Sequence, residues 1–492
     1  MTRKALPWWL GAATALFYLC YPSHFFNFDG VACAIAVDLG DWAHLVHGNH
    51  LGYGPIALML ARLWGLLGYS GPSLPLLGAL DSLLGGAGVV VFAALLLQVG
   101  LGPWAALAGG MALASSYAWW FWSLEAQVYM LGALFMLLAA KEVLADKPRP
   151  LLAGSFLALA ALGHVGHLFF VPACLYALAT GPSGDRRRWR GFLLALGLVV
   201  ASAYALAGAL CVRPANFDEL RLWLLGSAAL GKDRSFNWIG GYSAGNVWLW
   251  IKMTIRIYSD GDGFGGTERL LAWILSGTAL TTAIGATEQI RTREDKGRLA
   301  RFAVLWIAGY AVLYMNWQPQ TMVYRISDLA PLWFLACLAA SRWKYGWTCV
   351  AVWAVVAGHF NATLLIIPRI APAANVHYQK SLSLRALVPE NAWLVALTVD
   401  QVYYPYFAHR RPLNVRYFAG REEELAKRLD ALAAAGEPVF VTSDTLELEG
   451  WKPFFEAYGL FEGAPPQNGW KLLRVSRRHK EKGTRAVAGK KG

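Results

Sequence analysis

Apolar residues in this chain come in long runs separated by short polar stretches. A membrane-spanning helix needs about 20 mostly apolar residues. Spans are predicted over residues 6–21, 77–99, 104–120, 128–144, 191–212, 270–286, 302–315, 329–340 and 345–367. Residues 151–180 are too long for one span and short for two, and Gly163-His164-Val165-Gly166-His167 interrupts them. They read as two short helices meeting at the histidines. Residues 56–69 form a short run containing Arg62, which suits a helix lying in the membrane interface. Residues 246–258 form a weaker apolar helix. The fold class predicted is a polytopic α-helical membrane protein of about eleven spans.

The pattern changes near residue 372. Strand-like runs at 393–399, 439–442 and 470–475 alternate with helical runs at 422–435 and 453–458. That alternation predicts a small α/β domain. The chain therefore divides into a transmembrane region over 1–370, a soluble domain over 371–476 and a basic tail over 477–492 of the composition that stays disordered.

Composition supports the membrane reading and charge orients it. Of the 492 residues, 57% are hydrophobic and only 15% charged, and the mean hydropathy is +0.39. The net charge of +13 is gathered in short clusters between apolar runs. These are Arg186, Arg187, Arg188 and Arg190, then Arg291, Arg293, Lys296, Arg298 and Arg301. Such clusters mark cytoplasmic loops rather than a nucleic-acid surface. With Arg3 and Lys4 inside, the 27–55 loop, Glu125, the His164/His167 break, the aromatic 213–248 loop with its Gly240-Gly241 pair, Arg325 and the C-terminal domain all fall outside. The six cysteines show no paired spacing, and there is no phosphate-binding G-x-x-x-x-G-K-[ST] loop.

The candidate chemistry lies on that outer face. The 27–55 loop carries Asp29, Asp38, Asp41, His44, His47 and His50. Ionisable groups beside a bilayer are costly and are functional candidates. Asp29, among Phe25, Phe26 and Phe28, suits a general base with a raised pKa; a plain Asp-Gly turn is the alternative. His44, His47 and His50 are spaced at three, so on a helix they would share a face. With Asp41 they would suit a divalent metal; an interfacial helix with a polar face is the alternative. Glu125 is a lone acid between two apolar runs. His164 and His167 are either substrate ligands or core histidines bonded to backbone. Arg325 is either a phosphate ligand or the ion-pair partner of Asp328.

The order of these parts resembles the GT-C superfamily of membrane glycosyltransferases, which includes the protein O-mannosyltransferases and the aminoarabinose transferases. In that family an acid follows the first span, as Asp29 does here. An external loop with a His-Pro-Pro-Gly-Tyr-Pro-like segment comes next, here His50-Leu51-Gly52-Tyr53-Gly54-Pro55 without the paired prolines. A second acid follows, and Glu125-Ala126-Gln127-Val128-Tyr129 is similar to a Glu-Val-Tyr motif of one bacterial branch. A broken helix pair matches 157–172, and an Arg/Tyr segment entering a span matches 324–331. Asp29 is followed by Gly30 where the protein mannosyltransferases have an Asp-Glu pair.

The resemblance implies sugar transfer from a polyprenyl-phosphate donor to a protein, lipid or envelope glycan at the outer face of a bacterial inner membrane. Inversion at the sugar carbon is expected. It implies Asp29 as the catalytic base that deprotonates the acceptor and Glu125 as the catalytic-site acid that orients the acceptor or a metal, with His50, Tyr53, Tyr129, His164, His167 and Arg325 around the substrate. A transporter or flippase for a lipid-linked or anionic substrate is the competing class, with the 163–167 break as its site. No internal symmetry between halves supports it, and acids on one face rather than at mid-membrane favour the enzyme.

Overall fold

The computed structural model describes residues 2–181, 188–225, 242–291, 295–447, 450–467 and 469–476. Arg186, Arg187, the Gly240-Gly241 pair, Arg293 and the 477–492 tail lie outside the described residues. The chain divides into two compact units, Met1–Ala374 and Asn375–Gly492.

The first unit is helical: α1 (Leu6–Leu19), α2 (Phe28–Leu39), α3 (Trp42–Leu45), α4 (Tyr53–Leu66), α5 (Leu74–Gln98), α6 (Pro103–Ser115), α7 (Tyr117–Ser123), α8 (Val128–Val143), α9 (Pro150–Gly163), α10 (Val171–Thr180), α11 (Arg188–Ala207), α12 (Phe217–Leu225), α13 (Ala244–Arg256), α14 (Gly266–Gly285), α15 (Asp295–Tyr314), α16 (Ile326–Ala340), α17 (Gly346–Phe360) and α18 (Ile367–Ile370). Among the described residues five helical stretches have the length and apolarity to cross a membrane: Leu74–Gln98, Arg188–Val212, Gly266–Ile290, Val323–Ala340 and Gly346–Ile370. Leu6–Leu19, Pro150–Gly163 and Val165–Thr180 are shorter apolar helices.

Small residues let these helices approach closely, as membrane packing favours. A side chain at Gly11 of α1 would lie 2.6 Å from the Gly86 carbonyl oxygen of α5, so the two backbones touch there. The strongest hydrophobic cluster gathers α5 to α10 around α15 and α16, with Trp119, Trp306 and Trp333 buried in it.

Two expected elements come out differently. The run at 104–120 is not one span. It breaks at Ser116 (φ −67°, ψ 133°), between α6 and α7. The amides released there donate to carbonyls of the α13–α14 link, Tyr117 N to Tyr258 O at 3.0 Å and Ala118 N to Ile257 O at 2.9 Å. Non-helical backbone is tolerated in a membrane protein when other protein groups satisfy it in this way.

The three loop histidines do not share one helix. Asn27 caps α2 by accepting from Gly30 N (2.9 Å), and α2 ends on left-handed Gly40 (φ 65°). Asp41 caps the four-residue α3, which contains only His44. His47 and His50 lie in the turn that follows, held by His50 N to His47 O at 2.9 Å. That turn needs a glycine, because a side chain at Gly48 would meet the Trp223 carbonyl oxygen at 1.9 Å.

The second unit is a five-stranded sheet of order β2-β1-β3-β5-β4, with β1 Trp393–Ala396, β2 Arg411–Asn414, β3 Val439–Thr442, β4 Leu460–Gln467 and β5 Trp470–Val475. β1 pairs in parallel with β2 and β3, whereas β5 is antiparallel to both β3 and β4. The helices that matter below are α19 (Val376–Leu387), α20 (Asp400–Tyr403) and α21 (Glu422–Ala434). Its core holds Val395, Leu413, Leu425, Leu429, Val441 and Phe455.

Candidate active site

The link between α1 and α2 sets the site. Glu125, 2% exposed, sits between α7 and α8 and holds this link. The Ser23 hydroxyl donates to its Oε1, and Asn27 donates to its Oε2 through the backbone N–H (3.1 Å) and Nδ2 (3.2 Å). Asn27 Nδ2 also reaches Ala126 O at 3.1 Å. Gly30 then lies where a side chain would come within 2.5 Å of that same carbonyl oxygen. Burial pushes the Glu125 carboxyl up to about 7 against the hydrogen bonds from Ser23 and Asn27. The Glu125 carboxylate is thus engaged by partners within the protein.

Asp29 behaves in the opposite way. Two residues beyond Asn27, in the first turn of α2, its side chain is exposed to solvent. It is nonetheless recessed among protein atoms, and the loss of solvation there raises its pKa. Its charge acts on Cys33 one turn along α2, on Tyr129 of α8 and on Tyr324.

Around Tyr129 stands a wall of rings drawn from four distant segments. The Tyr129 ring lies 6.1 Å from His50, 5.2 Å from His164 and 5.4 Å from Tyr324. His50 and His164 are 5.0 Å apart, and His164 and His167 are 5.8 Å apart. The wall continues through His167 Nδ1 and the Tyr310 hydroxyl at 2.7 Å, then through stacked Tyr314 and Tyr324.

Backbone contacts fix the proton positions on two of these imidazoles. Gly166 N donates to His164 Nδ1 (3.1 Å), so in the neutral ring the proton is on Nε2. His50 Nδ1 faces the Gly163 carbonyl oxygen at 3.4 Å, so that nitrogen carries its proton and Nε2 accepts. Burial, followed by the neighbouring imidazoles of His164 and His47, holds His50 well below its ordinary range and therefore neutral.

His167 is fully buried, and a side chain at Gly132 would lie 2.1 Å from its Nε2. It buttresses the wall through the Tyr310 hydroxyl. Tyr53 is also buried, and its hydroxyl donates to Asp81 Oδ2 at 2.8 Å.

Of the two roles open to Arg325 from sequence, the ion pair is the one formed. Arg325 is 0% exposed, with Nη2 at 2.5 Å from both Asp328 Oδ2 and Thr254 Oγ1 and its guanidinium 4.5 Å above the Trp250 ring. Lys252, Arg256 and Arg369 are partly exposed instead, and are set against Asp260 and Asp262. Arg369 lies over Tyr117 and Phe121 (5.6 and 5.8 Å). Phe121 in turn packs on Phe25 of the α1–α2 link at 5.2 Å. These cations are scattered over the sequence and form no motif, so no local signal identified them.

The metal reading of the 27–55 loop does not fit the side chains. His44 is exposed and pairs with Asp41 at 2.7 Å, while His47 and His50 face the ring wall. Among the described residues no group of three or more His, Cys, Asp or Glu side chains converges as a metal site.

No family model and no curated protein matches the chain. Solved structures do. The structure of ArnT from Cupriavidus metallidurans bound to undecaprenyl phosphate matches with a TM-score of 0.65 at 13% identity, covering 94% of this chain and 97% of that one. Its apo structure matches with a TM-score of 0.64 at the same identity and coverage. The likeness spans both units, and it shows that the chain has the ArnT-like GT-C fold that the order of its motifs resembles.

Proposed function

We propose that the protein transfers a sugar from a polyprenyl-phosphate-linked donor to an acceptor hydroxyl or amine at the outer face of the membrane. The observation that carries this is Asp29, a carboxylate open to solvent yet poorly solvated, whose charge acts on Tyr129, the ring that packs against His50 and His164. In support, the matched ArnT structure holds undecaprenyl phosphate.

In the proposed step the Asp29 carboxylate takes the proton of the acceptor. The acceptor atom bonds to the sugar carbon from the face opposite the phosphate, so configuration inverts. The bond from that carbon to the phosphate oxygen breaks, and its electron pair leaves on the polyprenyl phosphate. A phosphate leaving group needs charge stabilisation rather than protonation. We assign it to Lys252, Arg256 and Arg369, which are partly exposed beside Asp260 and Asp262. Arg325, sealed against Asp328, acts through its neighbour Tyr324 and does not touch the donor. His164 Nε2–H donates to the sugar and His50 Nε2 accepts from it.

The test is an Asp29→Asn exchange in the producing cell, followed by analysis of envelope glycans, glycolipids and glycoproteins. The proposal expects one sugar modification to disappear at normal protein level. An unchanged glycan profile would refute it.

A further inference from the structure

Asp81 lies within α5, a 25-residue helix long and apolar enough to cross a membrane, and it is 0% exposed. A carboxylate inside a membrane span is costly and persists where it has work to do. Neither the ring wall nor the Asp29 chemistry involves it directly. Its contacts nevertheless reach both loops that build that wall. Asp81 Oδ2 accepts from the Tyr53 hydroxyl at 2.8 Å and from the Gln127 backbone N–H at 2.7 Å. Tyr53 opens α4, three residues after His50. Gln127 is the extended residue (φ −148°, ψ 138°) that starts α8, between Glu125 and Tyr129. Its amide has left the helical ladder, so its partner decides where the segment sits. On the third side, Cys33 of α2, one turn from Asp29, has its thiol pushed up to about 12 by burial and then by the Asp81 and Asp29 charges. Asp81 Oδ1 has no hydrogen-bond partner.

We infer that Asp81 is a positioning residue for the proposed transfer: from a rigid span it pins the His50 loop and the Tyr129 loop at a fixed height against Asp29. Resting on the proposed function, the inference adds a residue for which the fold likeness gives no role. A displacement of about 1 Å at a reacting group costs on the order of 10²-fold in rate.

The experiment compares Asp81→Leu, Asp81→Asn and Tyr53→Phe in lipid nanodiscs, using a polyprenyl-phosphate-linked sugar pool as donor. Asp81→Asn keeps an oxygen for both donors and is expected to retain activity within about threefold. Asp81→Leu keeps the volume without the acceptor, and its kcat is expected to fall about 10²-fold while the donor KM stays within about threefold. Tyr53→Phe loses one donor and falls between the two. Its effect disappears in the Asp81→Leu background, because the partner is already gone. Equal activity in Asp81→Leu and wild type overturns the inference, as does equal activity in Tyr53→Phe and wild type, the variant to use if Asp81→Leu does not fold. An inactive wild type instead overturns the proposed function. Alkylation of Cys33, kept as the only cysteine, then reads Asp81 without turnover. Its pH dependence moves to lower pH in Asp81→Asn if the cluster is as described, and stays unchanged if it is not.

Discussion

The helical unit and the C-terminal unit both bury charged side chains, and they satisfy them to different degrees. In the C-terminal unit Lys380, 3% exposed, donates to Asp400 Oδ2 (3.2 Å), Asp444 Oδ2 (2.9 Å) and Thr445 Oγ1 (3.4 Å). Asp400 also takes the Tyr404 hydroxyl and His377 Nδ1. Burial raises the Asp400 pKa, but the hydrogen bond from His377 and the Lys380 charge outweigh it and hold the carboxyl below its ordinary range. Arg410 donates to four backbone carbonyls, those of Arg385, Val388, Ala408 and His409.

Groups in the helical unit are left incomplete. The Asp29 carboxylate makes no hydrogen bond or ion pair among the described residues, and Asp81 Oδ1, His167 Nε2 and Arg325 Nε and Nη1 are buried without partners. A buried polar group left unsatisfied costs roughly 1–3 kcal/mol. The C-terminal network, in which Asp444 Oδ1 is the one group without a partner among the described residues, reads as a clamp for its own fold, and the open Asp29 carboxylate as a place kept ready for something else.

The sharpest way to break that contrast is to neutralise one charge on each side. Asp29→Asn should lower transfer about 10³-fold, within the range for loss of a general base, and leave the thermal midpoint unchanged or slightly higher. Lys380→Met should do the reverse. By stranding Asp400 and Asp444 it should destabilise the C-terminal unit by about 3–5 kcal/mol, read as an earlier unfolding transition and faster proteolysis of that unit. A stable Lys380→Met protein, or an unstable Asp29→Asn one, would erase the distinction.

His164→Asn is a finer probe. The amide oxygen can still accept from Gly166 N, but the Nε2 donor is lost. Transfer should fall about tenfold with no change in stability, the value of one hydrogen bond. The smallest effect concerns Glu125. Its folded pKa of about 7 lies above the ordinary glutamate value of 4.5. The folded state therefore holds the proton more tightly, and this group's contribution to stability is complete below about pH 4.5 and declines until about pH 7. The thermal midpoint should drop by a few degrees across that window in wild type, and this slope should vanish in Glu125→Gln.

Much of the helical unit was legible from sequence. The break at Gly163–His167 appears where two polar rings interrupt an apolar run, with α9 ending at Gly163 and a 3-10 turn over Val165–Phe170. His50, Tyr129 and His164 do come together, and β3 and β5 have the predicted bounds. Other features depend on partners far along the chain. Glu125 looked like a ligand because its donors, Ser23 and Asn27, lie about a hundred residues away. Arg325 looked available because sequence does not show how completely α13 and α16 enclose it. Asp81 passed unnoticed inside a strongly apolar run, although a lone acid in a predicted span was itself a signal. Strands β2 and β4 were missed because each carries proline in a short run, Pro412 in one and Pro465 and Pro466 in the other.

The central claim is that Asp29 is the base beside a wall of neutral rings. It is tested most directly by the pH dependence of single-turnover sugar transfer in nanodiscs, for wild type, Asp29→Asn and Asp29→Glu. A base must be ionised, so the wild-type rate should fall as pH drops. Because burial raises the Asp29 pKa, the midpoint of that limb should lie above the usual carboxylate range of about 4. Asp29→Glu should keep the limb at a lower rate, and Asp29→Asn should lose both the limb and the rate. An Asp29→Asn protein that transfers sugar within a few-fold of wild type, with the same acid limb, would contradict the account.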